Sequence, residues 1–203
     1  MKHRESGVGR APAPTREPPS AGAPRVPGGR AESGLRGHSR LPTPDSRIPV
    51  VVRPATLDDL DTVVALRLAL LREHGTNPVY RRLRPDAPDR ARRLFSAQLC
   101  SPQEVTFLAE RGGEVVGILR CVESAGSPLL YPAQYGYVSS VYVVPAARRH
   151  GVLKALLADA VRWCERRGLP EMRLHSTSDG ESANAAWSAL GFEVVEHLRV
   201  REI

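Results

Sequence analysis

The segment that most constrains this chain runs from Val141 to Leu157: Val-Tyr-Val-Val-Pro-Ala-Ala-Arg-Arg-His-Gly-Val-Leu-Lys-Ala-Leu-Leu. A β-branched run breaks at Pro145, a basic cluster of Arg148, Arg149 and His150 follows, and Gly151 precedes an apolar pattern of helical period. Such a segment folds as strand, tight turn and helix, and the first N–H groups of the helix point back into the turn without intrahelical acceptors. Together with the helix dipole they form a site suited to an anion, for which phosphate is the obvious biological candidate.

The rest of the chain narrows the setting. Its 203 residues, 41% of them hydrophobic, suffice for one good core and would be crowded as two domains. No apolar run approaches the roughly 20 residues needed to span a bilayer, and the N-terminus lacks the apolar centre of a secretory signal, so a cytoplasmic location and no membrane partner are expected. Cys100, Cys121 and Cys164 lie among apolar neighbours without CxxC spacing, and are expected to be buried, reduced thiols; no metal site is expected. Of the net charge of +7, residues 1–46 carry eight Lys/Arg against four Asp/Glu, which leaves only +3 for the remainder. That segment is rich in Pro, Gly, Arg and Ser and has no aromatic residue, so it is expected to be a disordered tail ahead of a domain over residues 47–203. Specific nucleic-acid binding is not expected, although a basic tail can touch an anionic surface weakly.

Within the domain, residues 48–53 read as a first strand, and Thr56-Leu-Asp-Asp59 as a capping box opening a helix that runs up to Gly75. Pro88 opens a second helix to about Leu99, with Leu94, Phe95 and Leu99 inward. Gly112-Gly113 joins two β-rich runs, residues 105–110 and 115–122, as a hairpin. Residues 135–144 form the longest strand; an amphipathic helix runs through Leu153, Leu156, Leu157, Ala160, Val161 and Trp163-Cys164 and stops at Gly168 and Pro170; 171–175 is a short strand, and Ser178-Asp-Gly-Glu181 caps a last helix ending near Leu190-Gly191. Residues 192–201 alternate well enough for a terminal strand. The order β–α–α–β–β–β–α–β–α–β describes an α/β (α+β) fold with a mixed central sheet and helices on both faces.

In this order and in these motifs the chain resembles the GNAT superfamily of acyl-CoA-dependent N-acyltransferases, over about residues 49–201. The signature of that family in the turn is Arg or Gln, two residues, Gly, one residue, then Gly or Ala; here it reads Arg148-Arg149-His150-Gly151-Val152-Leu153, followed later by Leu190-Gly191-Phe192. The resemblance implies that acetyl-CoA is the co-substrate and that its pyrophosphate lies on the N–H groups of this loop. It also implies that the strand splays from its neighbour after Val141, Tyr142 and Val143, leaving backbone groups for the pantetheine arm. Leu153 departs from the preferred small residue and crowds the helix start. Lys154 is either a phosphate contact or a solvent-facing side chain, and Asn184 either a CoA contact or a helix-surface amide.

Acyl transfer to an amine needs a base for the ammonium, a donor for the developing oxyanion and an acid for the departing thiolate. Family members often supply that acid as a Tyr four residues before the Gly of Leu-Gly-Phe; here the residue is Trp187, whose indole N–H donates hydrogen bonds but is no practical proton donor. The candidate catalytic residues are Tyr137, Ser139, Glu123 and His175, with His175 best matched in unperturbed pKa. By resemblance, the oxyanion donor is the N–H of Val143 or a neighbour. The acceptor is an amine of a small molecule or a peptide, used by direct transfer in a ternary complex. Glu73, Asp86 and Glu123 could attract it, while Arg81, Arg82 and Arg84 argue against a strongly cationic one. The alternative is a non-catalytic acyl-CoA-binding module. A monomer or a homodimer is expected.

Overall fold

Residues 48–203, apart from Asp179, are described in a computed structural model; the tail expected over residues 1–46 lies outside the described residues. In chain order the elements are β1 (Val50–Pro54), α1 (Leu60–Glu73), α2 (Ala87–Leu99), β2 (Glu104–Arg111), β3 (Glu114–Ala125), β4 (Gln134–Val143), α3 (Val152–Arg166), β5 (Met172–Leu174) and α4 (Glu181–Ala189). Sheet order follows sequence order, β1-β2-β3-β4-β5. The first four strands are antiparallel, and β5 is parallel to β4 because α3 carries the chain across between them. The β2–β3 turn works as the two glycines demand: Gly112 and Gly113 hold φ of 63° and 83°.

Strand alternation distributes the core over two faces. Leu108 and Ile118 face one way and pack with Val63, Val64, Leu66 and Leu68 of α1 and Phe95 of α2. Phe107, Leu119, Cys121 and Val138 face the other way, against Val152, Leu156, Ala160 and Trp163 of α3. The start of α1 is fastened by Asp59, whose carboxylate accepts the Thr56 N–H at 2.8 Å and a two-pronged contact from Arg53 at 2.7 and 2.8 Å. On the other face Gly117 lets α3 approach closely: a Cβ there would stand 2.9 Å from Val152 and 3.2 Å from Leu156. The first turn of α3 is therefore pressed onto β3 beside the end of β4.

Three expectations need correction. Residues 192–201 form no strand; Val194, Val195, Leu198 and Val200 are exposed, because no neighbouring backbone among the described residues takes up their hydrogen bonds, and a strand exists only by pairing. Leu94 is 54% exposed whereas Phe95 is 4% exposed, since adjacent helix positions differ by about 100° and only one faces the core. Cys100 is exposed at the end of α2, while Cys121 and Cys164 are buried with their sulfurs 3.6 Å apart. Among the described residues no helix is long and apolar enough to cross a membrane.

Candidate active site

The middle of β4 changes direction. Register runs from Arg120 opposite Ser139 to Ile118 opposite Tyr142, so β4 carries one residue more than β3, and Ser140 adopts φ 53° at this bulge. On the other side of β4, pairing with β5 covers only Gly136 to Val138. The two parallel strands thus part after Val138, earlier than the sequence suggests, because β5 ends at Leu174 and the bulge turns β4 away. An open edge from Ser139 to Val143 results. Val144 donates its N–H to Val116 at 2.9 Å on the β3 side, so the N–H of Val143 points to the open side. Its carbonyl already accepts Arg148 Nε at 3.0 Å, which leaves the N–H as the group on offer.

Below this edge the chain turns through Pro145–Ala147 into the basic loop. Arg149 and Gly151 have φ of 64° and 79°, alternating left-handed positions that turn successive N–H groups into one concavity. The helix α3 opens without a side-chain cap, and the N–H groups of Val152, Leu153 and Lys154 find no acceptor among the described residues. A Cβ on Gly151 would meet nothing within 4 Å, so its backbone conformation, not crowding, calls for glycine. Val152 is buried, Leu153 half-buried and Lys154 exposed. Arg148 is held elsewhere: its guanidinium pairs with Glu73 at 2.6–2.8 Å and lies 5.7 Å from the centre of the Tyr142 ring. His150 Nδ1 bonds the Arg148 carbonyl at 2.7 Å and braces the turn.

The candidate catalytic residues divide into two groups. Tyr137 and Ser139 lie on the α1 face of β4, beside the opening, and His175 follows β5 directly. The Tyr137 hydroxyl and His175 Nδ1 are 2.7 Å apart, with the rings edge to face. Burial pushes the Tyr137 phenol up, so it stays protonated at neutral pH. Ser139 accepts from Arg120 at 3.2 Å. Glu123 is not brought to this group; it sits near the far end of β3, accepting from Gln134 at 2.8 Å and from Arg167 beyond the C-terminus of α3 at 2.7 Å. Asn184 Nδ2 donates to the Thr177 carbonyl at 2.9 Å and so ties down the loop before α4. Trp187 stacks edge to face on Phe192, 5.4 Å between centres.

Two residues here escaped the sequence reading. Arg120 on β3 pairs with Glu104 on β2, with 17% and 11% side-chain exposure, and it holds Ser139. Arg67 interrupts the apolar stripe of α1 one turn after Val63 and Val64, and a cation on a core-facing stripe was the signal that could have found it. Among the described residues, no group of His, Cys, Asp and Glu has the arrangement of a metal site.

Comparison with known proteins decides the family. Residues 70–192, more than half of the chain, match the acetyltransferase (GNAT) family. The chain is a GNAT acetyltransferase. Among curated proteins it is similar to the aminoglycoside N(6')-acetyltransferase type 1 of Klebsiella aerogenes, 28% identical over 106 residues, which are 52% of this chain and 70% of that protein. Among solved structures, a predicted acetyltransferase with acetyl-CoA from Clostridium acetobutylicum superposes with a TM-score of 0.62 at 20% identity, covering 75% of this GNAT chain and 96% of its own. An aminoglycoside N-acetyltransferase in complex with CoA gives 0.64 at 20% identity, covering 80% and 98%. At such identities these structures show the GNAT fold alone.

Proposed function

We propose that this enzyme transfers the acetyl group of acetyl-CoA directly to a primary amine of a small molecule, within a ternary complex. The observation that carries the reading is the open edge of β4 leading into the uncapped start of α3. It offers extended-backbone partners for an amide-bearing arm and a cluster of N–H donors for a pyrophosphate, in that order along the chain. The names of the relatives, and the complexes with acetyl-CoA and CoA among the similar structures, support the same co-substrate.

The chemistry follows from the groups around the opening. The acceptor arrives as an ammonium and must lose a proton before its nitrogen can attack the thioester carbonyl. His175 is the base, linked to the buried side through the Tyr137 hydroxyl and open to solvent on its own outer side. The N–H of Val143 faces the place where the carbonyl oxygen gains charge. Collapse of the tetrahedral intermediate expels the thiolate; the Tyr137 phenol, kept protonated by burial, gives it a proton and recovers one from the His175 imidazolium across their 2.7 Å contact. That role falls to β4 because Trp187 is committed to Phe192.

The test combines binding and turnover. Acetyl-CoA is expected to raise the melting temperature, by a stabilisation of about 2.7 kcal/mol at a hundredfold excess over Kd. Free thiol is expected to appear when a panel of small amines is added. No thermal shift at millimolar acetyl-CoA overturns the proposal. A second reading, an aminoglycoside acceptor, is favoured by the curated relatives and is tested by the same panel.

A further inference from the structure

Arg67 is a half-buried guanidinium that no carboxylate among the described residues answers. It stands on the sheet-facing stripe of α1, where its neighbours one turn earlier, Val63 and Val64, are buried, and it is itself half-buried. It makes no hydrogen bond or ion pair among the described residues, and its surroundings are Tyr80, Arg120 and Tyr137. Desolvation therefore works against its charged form, and a second guanidinium adds to that strain. The carboxylates of the surrounding elements are already engaged: Glu104 by Arg120, Glu73 by Arg148, Asp86 by Arg84 and Arg90, and Glu202 by Arg81 and Arg82. A half-buried guanidinium with five donors and no protein acceptor among the described residues is free to take up an anion that a ligand brings.

We infer that Arg67 receives an anionic group of the acceptor, so that the amine acetylated here belongs to an acidic small molecule and not to a polycation. A carboxylate or a phosphate would form two parallel hydrogen bonds with the guanidinium fork. Tyr137 and Ser139 lie on the face of β4 that α1 covers, and Tyr137 and Arg67 feel one another's charge, so a molecule anchored on Arg67 would carry its amine toward the Tyr137–His175 pair. A polycationic acceptor meets repulsion at this point, with no unpaired carboxylate among the neighbouring acids named above to offset it. The inference rests on the acetyl-transfer reading and specifies its acceptor.

Matched pairs of amines test it, with thiol release as the readout. They are an α-amino acid and its amide, phosphoethanolamine and ethanolamine, with spermidine and kanamycin as polycations. The acidic member of at least one pair is expected to exceed its neutral counterpart by about tenfold or more in kcat/KM, the range of a charge-assisted hydrogen bond. Which pair does so separates carboxylate from phosphate. In Arg67→Gln that ratio is expected to fall toward one, through KM, while the Kd for acetyl-CoA stays within twofold; Arg67→Lys is expected to restore part of the ratio. The inference is overturned if neutral or polycationic amines are preferred, if acetyl-CoA binds but no acidic amine is acetylated, or if Arg67→Gln leaves the ratio unchanged. Absence of acetyl-CoA binding would instead remove the acetyl-transfer reading itself.

Discussion

The two ends of the opening beside β4 are built on different principles. Toward α3 the site is made of main chain: a bulge, an unpaired strand edge, two left-handed residues and the first turn of a helix. Toward α1 it is made of side chains from elements far apart in sequence, with Arg67, Arg120, Tyr137, Ser139 and His175 drawn together across more than a hundred residues. The first kind of site tolerates nearly any side chain that leaves the backbone in place. The second depends on the identity of each member. One end is thus suited to a ligand shared by many proteins, the other to an acceptor particular to this one.

The sharpest way to break this contrast is Tyr137→Phe. It keeps the ring and removes the hydroxyl that joins β4 to His175, and it is expected to lower kcat about a hundredfold while acetyl-CoA binding is unchanged in calorimetry. Equal losses of binding and turnover would show that the two ends are not separate. At the other end, Gly151→Val puts a β-branched residue at φ 79°. Left-handed strain of roughly 1–2 kcal/mol should raise the Kd for acetyl-CoA about tenfold, with far-UV circular dichroism preserved. An unchanged Kd would take the loop out of the cofactor site.

A smaller effect concerns the anchoring of α1. The Arg53 guanidinium holds the Asp59 carboxyl down at about 2, below its ordinary value of 3.8. Because the folded pKa is depressed, the stability from this contact is complete above about pH 4 and is lost as pH falls toward 2. Asp59→Asn is expected to remove that acid-dependent part of the unfolding free energy, about 1 kcal/mol at neutral pH, in denaturant titrations at several pH values. The smallest effect is expected from Arg148→Ala. Its pair with Glu73 is exposed and contributes roughly 0.2–1 kcal/mol, so a change in acetyl-CoA affinity of no more than about fivefold is expected by titration.

The same division governs what could be read from the residues alone. The β4–loop–α3 segment was legible because Pro145, Gly151 and the apolar period act locally, and the hairpin because Gly112-Gly113 leaves little choice. The pairing of Tyr137 with His175 was not, since it depends on where β5 lands beside β4, although each residue could be named as a candidate. Glu123 looked equally suitable on composition and proved to be fastened to Arg167, at the other end of α3 from the loop. The strand expected over residues 192–201 failed for a related reason: alternation describes a strand's faces but supplies no edge to pair with. Arg67 and Arg120 were missed because a charged residue inside an apolar period is easily taken for noise.

The pair between Arg148 and Glu73 has a consequence for how such a protein can change over generations. It joins the last turn of α1 to the loop ahead of α3, yet it is exposed and contributes little, so either partner can be exchanged at small cost. Arg67 is as lightly constrained, because no hydrogen bond or ion pair among the described residues holds its guanidinium.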